Sequence, residues 1–248
     1  MQHFLRAARG SRFDRGLEGP KVSGMSQALP RPESGVGRWI KDPFCGLSHG
    51  FGAVVSIVGL VVLILASNGS VSTIVAVSIY GASLILLFTA SFLAHSIHCS
   101  ARTDNLLERL DYAAIFFLIA GSYTPICLTV LAGGWGWSIL SIEWTLALIG
   151  ATMVLWRGPQ RWWVLLYVPM GWMIVVAIWP ILNGMDFVNL LLLAIGGVVY
   201  TLGAGVFIAK RPTLWPGWFG SHDLWHVMVL LGSALHFVVV LRITSAAQ

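Results

Sequence analysis

Five side chains combine the right chemistry with suggestive spacing: Ser91, His95, Asp111, His222 and His226. His222 and His226 are four residues apart, so on a helix both imidazoles project from one face, the arrangement by which a single helix supplies two metal ligands. Ser91 and His95 share that offset. Three neutral imidazoles and one water make the open, tetrahedral geometry of a catalytic zinc site, and His95, His222 and His226 are the candidate ligands. Asp111 then suits holding that water or acting as general base, and Ser91 suits orienting His95 or donating to a developing oxyanion. A HxxxH pair at a helix start is common by chance, and interfacial histidines often only meet water. The assignment therefore depends on whether the elements carry these residues to one place.

The elements are set by composition. Of 248 residues, 57% are hydrophobic and only 10% are charged, against about a quarter charged in a soluble domain. Between Pro43 and Ala101 there is no Asp, Glu, Lys or Arg, a run far beyond the roughly 20 residues that span a bilayer. The chain is predicted to be an all-α integral membrane protein, a seven-transmembrane helix bundle. Its spans lie near 44–66, 71–96, 107–131, 137–156, 161–182, 186–209 and 221–242. Turn residues separate them at Asn68-Gly69-Ser70, Gly133-Gly134, Gly158-Pro159 and Asn183-Gly184. Helices satisfy their own backbone hydrogen bonds inside lipid, whereas a membrane barrel would show short alternating segments. Residues 1–42 are polar and rich in Gly, Ser, Pro and Arg, which predicts a flexible basic tail ahead of a membrane domain at 43–248. Asp14 and Glu18 argue against a transit peptide, the tail lacks the apolar run of a secretory signal, and Met25 offers an alternative first residue.

Fourteen of the fifteen basic residues fall in the tail or in the breaks after the second, fourth and sixth spans, leaving Arg242 alone on the other side. The positive-inside bias then predicts a cytoplasmic N-terminus and an external C-terminus. With that topology Ser91 and His95 end the second span, Asp111 opens the third, and His222 and His226 open the seventh, all at the cytoplasmic side. Ionisable groups within membrane helices are costly and default to functional candidates. Five such polar groups from three helices are expected in one layer.

Other residues carry weaker expectations. His49 starts the first span level with the cluster and suits a cavity or supporting position. Cys99 lies four residues after His95, on the same helical face, while His98 lies three after it. His236 is fourteen residues beyond His222, roughly 21 Å along a helix, and cannot share the site. Glu143 is expected to cap or snorkel near the outer end of the fourth span. Asp223 suits a helix-start charge, with Ser221 as cap. Pro125, Pro169 and Pro180 are expected to bend their helices. Trp39, Trp135, Trp137, Trp156, Trp162, Trp163, Trp179, Trp215 and Trp218 near segment ends suit interfacial anchors. Three scattered cysteines with no CxxC imply no disulfide framework. Nucleic acid is excluded as a partner because no basic stripe has interleaved aromatics. There is no P-loop or dinucleotide fingerprint, and no Lys in the seventh span for a retinal Schiff base.

Three stretches carry a family resemblance: Asp42 to Gly52 (DPFCGLSHGFG), Ser91 to Pro125 (SFLAH, then RLDYAAIFFLIAGSYTP), and Ser221 to Phe237 (SHDLWHVMVLLGSALHF). With seven spans, they resemble the hemolysin III family, in the superfamily of progestin and adiponectin receptors. The resemblance implies zinc on His95, His222 and His226, Asp111 reaching it through water, and Ser91 beside it. It also implies a multi-pass protein of a bacterial inner (plasma) membrane, with a membrane lipid, ceramide-like, as substrate of a lipid amide hydrolase. The alternatives are a non-catalytic membrane sensor or receptor-like regulator with structural zinc, and the pore-forming or lytic factor that the family name suggests. The chain departs from the pattern at Asp42, where Glu is usual, at Cys45, where Asn is usual, and at Ala94, which replaces an aromatic.

Overall fold

The structure is a computed structural model that describes residues 39–67, 69–131 and 133–245, apart from the side chains of Arg161, Trp162 and Val164. The expected tail up to residue 38, with Met25, and the turn residue Asn68 lie outside the described residues. Among the described residues, seven helical spans are long and apolar enough to cross a membrane. They comprise α1 (Pro43–Ala66), α2 (Val71–Ser96), α3 (Ala101–Thr129), α4 (Gly134–Arg157), a fifth span made of α5 (Arg161–Gly171) and α6 (Ile178–Gly184), then α7 (Phe187–Ala209) and α8 (Ser221–Ser245). Among the described residues no strand forms. Successive helices α1 to α4 pack side by side, α7 pairs with α8, and α8 closes the bundle against α1 and α3. Large apolar side chains such as Phe51, Val54, Leu65, Phe187 and Leu202 face outward, the surface that a bilayer covers in a protein of this composition.

Two boundaries differ from expectation for identifiable reasons. Helix α3 starts at Ala101 rather than 107 because Ser100 caps it, its hydroxyl accepting the Thr103 N–H at 3.3 Å. Hydropathy sees only the apolar part of that helix and misses its polar first turns. The fifth span is broken rather than continuous: a 3-10 segment, Met173–Ala177, separates α5 from α6. Backbone groups freed at membrane depth need partners inside the protein, and Tyr123 on α3 supplies them. Its hydroxyl accepts the Ile174 N–H at 3.0 Å and donates to the carbonyls of Met170 and Gly171, each at 2.9 Å. Pro125, by contrast, is accommodated within a continuous α3.

Two further expectations are corrected. Trp163 is packed in the core at 4% exposure rather than anchoring at an interface, although Trp39, Trp156, Trp179 and Trp218 are exposed as expected. Glu143 neither caps nor snorkels. It belongs to the buried stripe Gly136, Ile139, Leu140, Glu143, Ala147 with which α4 meets α3, and both its carboxylate oxygens are buried with no hydrogen-bond partner. The four-residue periodicity that buries its neighbours also buries Glu143.

Candidate metal centre

The site forms where the start of α1, the end of α2, the start of α3 and the start of α8 meet. Lys41 and Asp42 run past the C-terminus of α2, where their backbone N–H groups reach the last carbonyls: Asp42 N–H to His95 O at 2.8 Å and Lys41 N–H to Ser96 O at 3.3 Å. Gly46 lets the first turn of α1 approach that corner, since a Cβ there would collide with the Ser96 hydroxyl. Lys41 also pairs with Asp104 on α3 at 2.5 Å. Arg109 donates to the carbonyls of Leu155 and Trp156 at 2.7 and 3.1 Å, so a cation closes the C-terminus of α4.

Within this frame the nitrogens of His95, His222 and His226 and the sulfur of Cys45 all lie within 4.8 Å of one another, a group that could hold a metal ion. The Nε2 atoms of His222 and His226 are 3.1 Å apart, close to the separation of about 3.3 Å that two nitrogens take on a tetrahedral ion with bonds near 2.0–2.1 Å. The His95 ring centre is 5.0 Å from that of His222 and 4.7 Å from that of His226.

Second contacts fix how these rings are presented. Asp42 Oδ2 accepts from His95 Nδ1 at 3.1 Å, so Nε2 is the nitrogen turned toward the cluster, with a carboxylate placed behind the ring as it is behind many metal-bound histidines. Burial opposes the charge on Asp42, but the His95 hydrogen bond, with Lys41 nearby, outweighs it and holds its carboxyl below its ordinary value. His49, one turn beyond Cys45 on α1, lies with its ring 4.0 Å from His226 and donates from Nε2 to the His226 carbonyl at 3.4 Å. It supports the cluster from behind, as its position in sequence suggested.

Asp111 and Ser91 stand to one side. Asp111 Oδ2 is 3.6 Å from His95 Nε2. Together with Ser91, His49, His222 and His226, it lines a small chamber of about 30 Å³, room for a water or a carbonyl group. That chamber shares Leu87, Ile115, Tyr167, Trp225 and Val229 with a larger cavity of about 210 Å³. The larger cavity is lined by aliphatic and aromatic side chains of α2, α3, α5, α6, α7 and α8. Along α8 it extends from Trp225 to Val240, about 22 Å at 1.5 Å per residue. A polar chamber beside the histidines therefore adjoins a long apolar one.

All five residues singled out in the sequence come together here. Cys99 and His98 do not: α2 ends at Ser96, so the helical offset that would have aligned Cys99 with His95 no longer applies, and both are exposed. Asp223 is not a simple helix-start charge. It is 2% exposed, accepts the Gly220 N–H at 2.8 Å and receives a hydrogen bond from Cys45 Sγ at 3.1 Å. Ser221 is itself the first residue of α8 rather than its cap. Cys45, a departure from the family motif, still carries a signal in the sequence: Cys45 and His49 repeat the four-residue offset of Ser91 with His95 and of His222 with His226.

Seven apolar spans among the described residues, with a histidine-rich group that could hold a metal ion, define a polytopic membrane protein. The profile of the haemolysin-III-related family matches residues 37–237, and the chain belongs to that family. It is 40% identical to Hemolysin-3 of Bacillus cereus over 199 residues, covering 79% of this chain and 88% of that protein. It is 38% identical to a Hemolysin-3 homolog of Bacillus subtilis over 79% of this chain and 90% of that protein. At 27% identity it also resembles the adiponectin receptor protein of Drosophila melanogaster, over 63% of this chain and 39% of that protein.

Proposed function

We propose that this protein is a zinc-dependent hydrolase of a membrane lipid amide, ceramide-like in having an acyl chain on nitrogen, with its site on the cytoplasmic face of a bacterial inner membrane. The observation that carries the reading is the adjacency of two chambers: the one lined by Asp111, Ser91 and the α8 histidines shares five lining residues with an apolar cavity long enough for a lipid tail. The donor set suits zinc, since imidazole and thiol are the ligands it takes in proteins. His95, His222 and His226 would hold the ion. Bound there, zinc supplies Lewis acidity that activates water at neutral pH and polarises a carbonyl.

The chain's own residues do the rest. Apolar walls take the acyl chain and keep the amide at the chamber mouth. Asp111 accepts the proton of the attacking water and returns it to the departing amine as the C–N bond breaks. Ser91 donates to the carbonyl oxygen as charge develops on it. Asp42 keeps His95 in the ligating tautomer. The cytoplasmic assignment rests on Lys41, Arg102, Arg109, Arg157, Lys210 and Arg211 near this end of the bundle, against Arg242 at the other.

A second reading has one observation in its favour. A four-ligand set with Cys45 resembles a closed, structural site, which would make the protein a membrane sensor or regulator rather than an enzyme. A lytic role, suggested by the names of the Bacillus relatives, has no such support, because seven lipid-facing spans describe a resident of the membrane.

The deciding experiment measures zinc content and turnover of N-acyl lipids by purified protein in detergent, for the wild type and Asp111→Asn. The expected result is full zinc content with turnover reduced about 10²–10⁴-fold, the contribution of a general base. Undiminished turnover in the variant refutes Asp111 as base, and a zinc-loaded wild type that turns over no N-acyl lipid refutes the hydrolase.

A further inference from the structure

We propose that Cys45 is a protein ligand of the metal, so that the ion is held by three imidazoles and one thiolate. The inference rests on the metal reading above and adds to it a ligand drawn from α1, the helix that the three histidines leave out.

Four observations support it. The Cys45 sulfur lies within 4.8 Å of the ligating nitrogens of His95, His222 and His226, and a bound set requires separations of about 3.3–3.6 Å. The thiol is 1% exposed and deep in the corner between α1, α2 and α8, where a small apolar side chain would pack as well but would carry no donor. Its position is fixed from both sides: Gly46 allows α1 to close onto α2, and Asp223, itself held by the Gly220 N–H, receives the thiol hydrogen bond. Finally, Cys45 does not line the chamber formed by Asp111 and Ser91. It can bind the ion without occupying the place where water and substrate meet Asp111.

The proton balance is simple. A thiol binds a metal as thiolate, so loading releases one proton, which leaves along the existing hydrogen bond to Asp223 Oδ1. A thiolate added to three imidazoles would hold the ion more tightly and would complete the four-ligand set that marks the structural reading above.

The test uses full-length protein in detergent. X-ray absorption of the zinc-loaded wild type should show one sulfur at about 2.3 Å with nitrogens at about 2.0–2.1 Å. Loaded with cobalt(II), the wild type, Cys99→Ser and Cys127→Ser should show thiolate-to-metal charge-transfer absorption in the near ultraviolet. Cys45→Ser and Cys45→Ala should lose that absorption and bind cobalt at least tenfold more weakly. A zinc shell of light atoms only, or a charge-transfer band that survives in Cys45→Ser, overturns the proposal while leaving the histidine site intact. A wild type that takes up neither metal overturns both, and His222→Ala serves as the control for that loss. The X-ray measurement needs no variant, so a folding defect in Cys45→Ser does not shield the idea.

Discussion

Removing the Asp42 carboxylate should weaken metal binding without touching a ligand. Asp42 reaches His95 twice, through its backbone N–H to the His95 carbonyl at 2.8 Å and through Oδ2 to Nδ1 at 3.1 Å. A side-chain substitution leaves the first contact in place and isolates the second. A hydrogen bond to a charged group contributes about 1.5–3 kcal/mol, and carboxylates behind metal-bound histidines typically account for about 10–100-fold in affinity. With the Asp42 carboxylate one-quarter exposed, the lower half of that range is expected, so Asp42→Ala should weaken zinc binding about 10–30-fold. Asp42→Asn keeps a neutral acceptor, and neutral bonds have roughly half the strength of charged ones, so its loss should be about 3–6-fold. The carboxyl titrates below its ordinary value of 3.8 because the histidine contacts outweigh its burial. Its charge, and the benefit to binding, is therefore present above that value and constant through neutral pH, fading only as pH falls through the lowered value. Competition for zinc against a chromophoric chelator measures both variants. Wild-type affinity in Asp42→Ala would show that the contact to Nδ1 does not prepare His95 for the metal.

Two other perturbations test the cavity and the bundle. Ile119→Trp should fill the larger cavity midway along α3, lowering turnover of long-chain N-acyl lipids at least tenfold while short-chain turnover and zinc content hold; an unchanged chain-length profile in a lipid hydrolysis assay refutes the cavity as tail site. Glu143→Leu should stabilise the detergent-solubilised protein by about 1–3 kcal/mol, the cost of a buried polar group without a partner, and a lowered melting temperature would mean that Glu143 makes an interaction the packing does not reveal.

How much of this was legible in the sequence depends on the kind of signal. Long apolar runs and flanking turn residues determine spans one to four and the last two to within a few residues, except for the polar start of α3 at Ala101, because a bilayer penalises any other backbone. The depth of the cluster follows from the same runs, since His95, Asp111, His222 and His226 all lie near helix ends that alternate in direction. Composition could not reveal the break at Met173–Ala177. It depends on one hydroxyl, that of Tyr123, arriving from another helix, and nothing local to Gly171 or Trp172 announces that partner. Trp163 and Glu143 depart from expectation for a related reason: residue type suggests an interfacial position, whereas the helical stripe on which each lies decides whether it meets lipid or protein.

Cys45 and Asp42 form a third case, where the sequence carried the signal but the comparison with a motif concealed it. As departures from a pattern they looked like loosened features. In place they are complementary: Asp42 aims His95 from outside the membrane span while Cys45 faces the same group of ligands from the first turn of α1. Both sit on the short segment 41–46 that closes over the end of α2. A change at one position alters what the other must do, because a site given a thiolate is more tightly held and depends less on the carboxylate behind one imidazole. The physical expectation is therefore non-additivity. The loss of affinity in Asp42→Ala should be larger when Cys45 is already replaced by Ser than when it is present, since residues sharing one network couple.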